Sequence, residues 1–193
     1  MKNTDENLTQ GVLESNMVVI NLFGGPGTGK STTAAGLFYE MKARGYKVEL
    51  VTEFAKDLVY QESFFRLKDQ LMILARQNHK LWVLKDKVDY AIVDSPLLLS
   101  QHYFQDNGDY SEKLFKDFVL DTYNRYNNLN IFLQRNIDEH PYQEYGRSQT
   151  LDEAIKIDES IKKILQDTNS EYKTIDVSKY TVELILRRLV DIK

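Results

Sequence analysis

A glycine-rich octapeptide constrains this chain more than any other stretch. Residues 24–31 read Gly-Gly-Pro-Gly-Thr-Gly-Lys-Ser, which satisfies every fixed position of the pattern G-x-x-x-x-G-K-[ST]. An apolar, β-branched run of strand length, 18–23, precedes it, and a helical pattern follows over 31–44. This order of strand, glycine loop and helix predicts a P-loop, in which backbone N–H groups surround phosphate oxygens.

The residues of this loop have distinct expected roles. Lys30 would place a positive charge at the β- and γ-phosphates of ATP, and the Ser31 hydroxyl would ligate Mg²⁺. The glycines allow the backbone to approach phosphate without interference from a Cβ atom. The expected nucleotide-binding residues are Gly24, Gly25, Pro26, Gly27, Thr28, Gly29, Lys30, Ser31 and Thr32.

Composition limits the class of protein. The chain has 193 residues, a net charge of −4 and no cysteine, which excludes disulfides, thiolate metal sites and a cysteine nucleophile. No apolar run approaches the roughly 18 residues that a membrane-spanning helix needs, so we expect no membrane association. Residues 1–16 are polar and are predicted to be a flexible tail. Residues 17–193 are predicted to form one domain in the cytoplasm.

The remaining pattern alternates strands with helices. We predict strands over 18–23, 47–52, 89–93, 129–133 and 172–175, and helices over 31–44, 67–84, 111–125, 151–165 and 181–190. Ser111 is the expected N-cap of the third helix, and Thr150 with Glu153 fits a capping box. The predicted fold is a three-layer α/β/α P-loop NTPase, nucleotide-kinase-like, with a five-stranded, mostly parallel sheet.

Two acids directly follow predicted strands. Asp94 ends an apolar strand in a Walker-B-type arrangement, where its carboxylate would hold Mg²⁺ or take a proton from the acceptor hydroxyl. Glu53 follows the second strand and is a candidate base or ligand of metal-bound water. On position alone, Glu53 fits a solvated loop acid or a helix cap equally well.

Residues 134–150 form a polar loop in the position of a lid. Arg147, after Gly146, is the first candidate for a lid arginine that neutralises the transferring phosphoryl group, and Arg135 is the second. The alternative for both is ion pairing at the surface with the nearby acids.

The segment after Glu53 is the expected acceptor region. We expect its aromatic residues to belong mainly to the core; they are Phe54, Tyr60, Phe64 and Phe65. Gln70 and Gln77 lie about two turns apart on the predicted helix and would either read a base by hydrogen bonds or be solvated. Residues 56–87 contain seven basic and four acidic residues, which is a small positive excess in an acidic chain.

Three stretches carry a resemblance to a known family. The chain resembles P-loop nucleoside and nucleotide kinases and the nicotinamide-riboside-kinase-like ATPases. Residues 20–37, 48–59 and 88–100 are similar to the bacteriophage 5-hydroxymethyluridine DNA kinases. The resemblance implies phosphorylation of the 5-hydroxymethyl group of uracil in DNA, a step of thymidine hypermodification, in the host cytoplasm for a phage protein. It also implies roles for the P-loop residues, Asp94 and Glu53.

Two alternatives to this DNA-modifying kinase stay open. One is a kinase of free nucleosides or nucleotides, which needs only a closed acceptor pocket. The other is a P-loop ATPase switch that acts on a protein partner. The residue after Asp94 is Ser95 rather than a second acid that would activate water, which disfavours the switch.

Overall fold

The computed structural model describes residues 16–106, 108, 110–139, 141–142 and 149–190. A single parallel sheet organises this part of the chain, with five strands in the order β2-β3-β1-β4-β5. The strands are β1 Val18–Phe23, β2 Val48–Val51, β3 Tyr90–Val93, β4 Asn127–Gln134 and β5 Lys173–Asp176. Because β1 is central and pairs with both β3 and β4, the loop after it lies at the middle of one sheet edge.

Seven α-helices connect or flank the strands in the part of the chain that the structure describes. They are α1 Lys30–Ala43, α2 Phe54–Tyr60, α3 Gln70–Trp82, α4 Leu99–Tyr103, α5 Glu112–Asn124, α6 Leu151–Asp167 and α7 Thr181–Val190. None of them has the length and apolar character that crossing a membrane requires.

Two hydrophobic cores cover the two faces of the sheet. One core packs α1 and α7 on the sheet through side chains such as Leu37, Met41 and Ile185. The other holds residues of α3, α5 and α6, among them Leu74 and Val119. Helices therefore lie on both faces, and the predicted three-layer nucleotide-kinase-like fold with a parallel sheet is confirmed.

The helix predicted over 67–84 begins later than expected. A 3-10 helix, Phe64–Lys68, precedes α3, and the Asp69 carboxylate accepts a 2.9 Å hydrogen bond from the Met72 N–H. This N-cap starts α3 at Gln70, because a side-chain acceptor satisfies a backbone donor that the helix leaves unpaired. The caps predicted at Ser111 and at Thr150 with Glu153 are confirmed.

Two helices leave large apolar side chains exposed. In α5, Leu114 and Phe118 are 68% and 52% exposed, and the helix instead buries Phe115, Val119, Thr122 and Tyr123. Trp82 on α3 is 61% exposed. Apolar character alone does not decide burial in α5, because its buried stripe also includes the polar residue Thr122.

Candidate functional site

Each predicted polar residue follows a different strand at the same edge of the sheet. Glu53 follows β2, Asp94 follows β3, the P-loop follows β1, and Arg135 follows β4. Parallel strands bring their carboxyl ends together, so the strand order sets these groups in one row. Asp94, Glu53 and Arg135 all act electrostatically on the Lys30 ammonium.

The P-loop has the backbone shape that phosphate binding requires. Gly24, Gly27 and Gly29 have positive φ values of 146°, 78° and 82°, a region that other residues enter only with strain. Helix α1 begins at Lys30, so its first N–H groups and its positive end face the loop. The Thr28 hydroxyl donates to the Gly25 carbonyl at 3.0 Å and fixes the turn from within.

The Lys30 ammonium lies inside the loop. Its Nζ atom donates to the Gly24 and Gly25 carbonyls at 2.7 and 3.0 Å. Burial lowers the pKa of Lys30, while the carboxylates of Asp94 and Glu53 oppose that shift. A buried cation of this kind is stabilised by an incoming anion, which is the property that a phosphate site needs.

Asp94 is buried and has an unsatisfied oxygen. The residue is 6% exposed, and its Oδ1 atom has no hydrogen-bond partner within the described part of the chain. An uncompensated buried carboxylate oxygen is costly, so a cation or a proton fits this position. Ser31, at the start of α1, is exposed, and its hydroxyl and the Asp94 carboxylate are oxygen ligands of the kind that would hold Mg²⁺.

Glu53 is neither a solvated loop acid nor a capping side chain. It occupies the N-cap position of α2, yet its carboxylate makes no capping hydrogen bond. Burial raises the pKa of Glu53, the Lys30 ammonium opposes the shift, and the Asp94 carboxylate adds to it. Glu53 is therefore a carboxyl group that holds its proton more tightly than an exposed glutamate does.

The structure describes one of the two candidate lid arginines, Arg135. Arg147 lies outside the described residues. The Arg135 side chain is 5% exposed and pairs with Asp158 at 3.0 Å, so surface ion pairing is the wrong interpretation for it. Its Nη2 atom donates to the Pro26 carbonyl of the P-loop at 2.8 Å. Arg135 is thus a buried side chain that contacts the P-loop directly.

Tyr142 brings the lid segment onto the P-loop. A Cβ atom added at Gly27 would lie 2.6 Å from the Cε2 atom of Tyr142, so the ring covers this glycine closely. The Arg135 guanidinium lies 5.5 Å from the centre of the same ring. The Tyr142 hydroxyl donates to the Gln149 carbonyl at 2.7 Å, which ties the two described ends of the lid together.

The segment between Glu53 and α3 exposes its rings, contrary to expectation. Tyr60, Phe64 and Phe65 are 77%, 59% and 86% exposed, so the prediction that they belong to the core is wrong. The short α2 and the 3-10 helix bury Leu58 and leave these three rings exposed, whereas Phe54 is half-buried. We call the exposed rings together with the exposed cations Lys56, Arg66 and Lys68 the aromatic face.

The two glutamines of α3 are buried rather than solvated. Gln77 is 4% exposed, and its Oε1 atom accepts a 3.1 Å hydrogen bond from the Phe54 N–H, next to Glu53. Its Nε2 atom has no partner among the described residues. The Gln70 amide donates to the Leu67 carbonyl at 2.8 Å. A free buried amide donor therefore lies at the Glu53 end of the site.

A cavity of about 820 Å³ opens at the other end of the row, beside the carboxyl ends of β4 and β5. It is lined by Arg135, Asn136, Asp176, Ser178 and Arg188, among others. The loop that follows β5 contributes Ser178 to this lining, and the cavity is large enough to accept a nucleotide base.

Two residues of the site were missed by sequence reasoning. Asp158 had a signal: it shares the buried face of α6 with Ala154, Ile161 and Leu165, so it is an acid at an apolar position of an amphipathic helix. Tyr142 had no such signal, because it lies in a polar loop whose path depends on its tertiary contacts.

Comparisons with known proteins agree with this geometry. The chain is similar to a deoxyadenosine kinase from M. mycoides, with 18% identity over 90% of this chain and 99% of that one, at a TM-score of 0.53. It is also similar to a thymidylate kinase from Ehrlichia chaffeensis, with 14% identity over 91% and 98% of the two chains, at a TM-score of 0.55. At these identities the likeness shows a common fold.

No curated protein matches the sequence. The model of a protein family described as AAA domain matches residues 19–183, which include the P-loop, Glu53, Asp94 and Arg135. That match spans most of the chain, and the protein therefore belongs to the AAA domain family.

Proposed function

We propose that the protein is an ATP-dependent phosphotransferase with an alcohol acceptor. The observation that carries the proposal is the row of Glu53, Asp94, Lys30 and Arg135 across one sheet edge, with Lys30 buried inside a P-loop. The fold shared with a deoxyadenosine kinase and a thymidylate kinase supports the same reaction class. A loop that binds phosphate and a carboxylate of raised proton affinity beside it are what phosphoryl transfer to a hydroxyl needs.

In this proposal the cationic groups and the backbone N–H groups of the site bind different parts of the triphosphate. Loop N–H groups and Lys30 hold the β- and γ-phosphates, and Arg135 neutralises charge on the γ-phosphoryl group, with Arg147 as a second candidate. The acceptor oxygen forms a bond to the γ-phosphorus while the bond from that phosphorus to the bridging oxygen breaks, which leaves ADP. Positioning supplies most of the rate in such a reaction.

We assign the acceptor proton to Glu53 and the metal to Asp94 and Ser31. Burial raises the pKa of Glu53, which makes its carboxylate a stronger base than that of an exposed glutamate. The unpartnered, buried Oδ1 of Asp94 suits a cation. Mg²⁺ held there would supply charge neutralisation on the phosphates.

We further propose that the acceptor is the 5-hydroxymethyl group of 5-hydroxymethyluracil in phage DNA. The resemblance of residues 20–37, 48–59 and 88–100 to the bacteriophage DNA kinases suggests it. The aromatic face supports it, because exposed rings and cations beside a catalytic acid offer stacking and phosphate contacts to a nucleic acid strand. The free Nε2 donor of Gln77 suits a carbonyl on the edge of a pyrimidine.

A small-molecule nucleoside or nucleotide kinase is the second candidate. Both solved structures to which the chain is similar bear the names of such enzymes, and the chain covers nearly their whole length. In this case the exposed rings of the aromatic face would have to close over a free nucleoside.

The deciding experiment follows label from γ-labelled ATP with Mg²⁺ into three acceptors. These are duplex DNA that contains 5-hydroxymethyluracil, the same duplex with thymine, and a panel of free nucleosides and monophosphates. We expect label on the modified duplex alone. Label only on a small molecule would replace the DNA proposal with the second candidate. Phosphate release without a labelled acceptor would overturn the kinase proposal in favour of an ATPase switch.

A further inference from the structure

Asp158 is a buried acid that the reaction itself does not use. It lies on α6, the helix that follows the lid segment, and is 6% exposed. The neighbouring positions on the same buried face are Ala154, Ile161 and Leu165. A carboxylate in such surroundings is costly unless its oxygens are paired, so its partners indicate what it is for.

Both oxygens of Asp158 bind parts of the phosphate site. Oδ1 accepts a short hydrogen bond from the backbone N–H of Gly25 in the P-loop. Oδ2 accepts from the Nε atom of Arg135 at 3.0 Å, and the Nη2 atom of Arg135 lies at 3.0 Å as well. One carboxylate thereby joins the loop backbone to the arginine that follows β4.

Arg135 completes this connection from its other side. Its Nη2 atom donates to the Pro26 carbonyl at 2.8 Å, so the guanidinium spans the space between α6 and the P-loop. Its Nη1 atom is buried without a partner among the described residues and lies 3.3 Å from the position of a Cβ at Gly27. The free donor is thus held beside the phosphate-binding turn.

The approach of α6 to the loop leaves no space for another side chain. A Cβ atom at Gly25 would lie 2.7 Å from the Asp158 Oδ1 atom and 2.8 Å from the Ala154 carbonyl oxygen. Position 25 is one of the variable positions of the P-loop pattern. In this protein the contact with Asp158 makes glycine necessary there.

We propose that Asp158 is a positioning residue for nucleotide binding. It fixes the Gly25 N–H and the Arg135 guanidinium, so that the loop keeps its phosphate-accepting shape and the free Nη1 of Arg135 faces the phosphates. The proposal concerns the ATP side of the site and holds for any acceptor. Its test therefore measures ATP binding without an acceptor, and it can fail while the kinase proposal stands.

The first experiment compares Asp158→Asn with Glu159→Gln by titration calorimetry with ATP and Mg²⁺. Asp158→Asn retains a hydrogen-bond acceptor for Gly25 but loses the charge that Arg135 needs. Glu159→Gln removes the same charge from an exposed position one residue away. We expect the dissociation constant for ATP to rise about tenfold or more in Asp158→Asn, since displaced binding groups lose most of their effect. It should stay within about twofold in Glu159→Gln.

Equal ATP affinity in these two variants would overturn the proposal. A lower melting temperature of Asp158→Asn with unchanged affinity in the folded protein would also overturn it, because the role would then be structural only. Loss of one partner of a buried pair can prevent folding. Asp158→Glu is therefore the second variant: it keeps the charge but moves the carboxylate by one methylene. We expect it to fold and to bind ATP more weakly, and wild-type affinity would contradict a positioning role.

Discussion

The backbone N–H of Gly25 donates a hydrogen bond to the carboxylate of Asp158, 133 residues later in the chain. This contact joins the phosphate loop to the helix that follows the lid, and Arg135 strengthens it from the end of β4. The shape of the P-loop is therefore maintained by tertiary contacts as well as by its own glycines. Four predictions test this contact and the other parts of the site.

Gly25→Ala should weaken both folding and ATP binding. The added methyl group would meet Asp158 Oδ1 and the Ala154 carbonyl at 2.7 and 2.8 Å, so the loop or α6 must shift. We expect a loss of about 1–3 kcal/mol in the free energy of unfolding, measured by urea denaturation, and a clear rise in the ATP dissociation constant. The control is Gly45→Ala, which is strained at a φ of 80° but has open space around it. Its ATP affinity should not change, and an equal loss of affinity in both variants would refute the explanation.

Lys30→Ala should abolish phosphoryl transfer while the protein stays folded. The variant removes the ammonium that contacts the Gly24 and Gly25 carbonyls at the centre of the site. We expect transfer of label from γ-labelled ATP to fall below detection. Lys42→Ala is the matched control, because Lys42 lies on the same helix and pairs with Glu49 at the surface. Wild-type turnover in folded Lys30→Ala would rule out the kinase proposal.

Glu53→Gln should make the protein more stable than wild type at pH values above the pKa of Glu53, and it should also slow phosphoryl transfer. A carboxyl group whose pKa is raised by folding contributes stability that is fully present below its ordinary value of 4.5 and is lost as pH rises through the raised value. A glutamine at position 53 carries no charge at any pH, so the variant does not lose this stability. We therefore expect the melting temperature of Glu53→Gln to exceed that of wild type at pH 8 and to match it near pH 4.

The rate should move in the opposite direction. Without its base, Glu53→Gln should lose about 10²- to 10⁴-fold in kcat, and the decline of the wild-type rate toward low pH should disappear from the residual activity. Glu62→Gln, at an exposed position near the same helix, serves as the control. A Glu53→Gln variant with the rate and pH profile of wild type would assign the proton to Asp94 instead.

Phe65→Ala should weaken transfer to a DNA acceptor and leave stability unchanged. Its ring is 86% exposed, so truncation removes little buried surface. Stacking of a base on an aromatic ring is worth about 1–3 kcal/mol, which predicts a rise in KM for modified DNA of about 5- to 150-fold. Tyr39→Ala removes another exposed ring, 69% exposed, from α1 on the opposite layer and should not affect KM. An unchanged KM in Phe65→Ala would exclude the aromatic face as the DNA-binding surface.

Local patterns were sufficient for much of the fold. The P-loop, the strands on either side of it and the caps at Ser111 and Thr150 depend on residues that are neighbours in the chain. Asp94 and Glu53 could be proposed because any residue directly after a parallel strand lies at the same sheet edge. These inferences needed no information about packing.

The features that sequence reasoning missed depend on contacts between distant residues. Arg135 was expected to be a lid arginine or a surface ion pair, but Asp158 and the Pro26 carbonyl hold it buried against the P-loop. Phe64 and Phe65 were expected in the core, but a 3-10 helix turns them outward. Gln77 was expected either to be solvated or to read a base, and the solvated alternative is wrong because the side chain is buried and accepts a hydrogen bond from the Phe54 N–H. Periodicity cannot predict these outcomes, because each requires the position of a second element.

The strand order places the groups of the site at two opposite edges of the sheet. Glu53, the aromatic face and Gln77 belong to β2 and the helices after it, at one edge of the sheet, whereas Arg135 and the large cavity belong to β4 and β5 at the other. Lys30 and Asp94, which follow β1 and β3, lie between these two edges. If the function is as we propose, changes of acceptor would accumulate at the β2 edge without disturbing the residues that bind ATP, and such a scaffold would exchange one alcohol substrate for another while it keeps its phosphate donor.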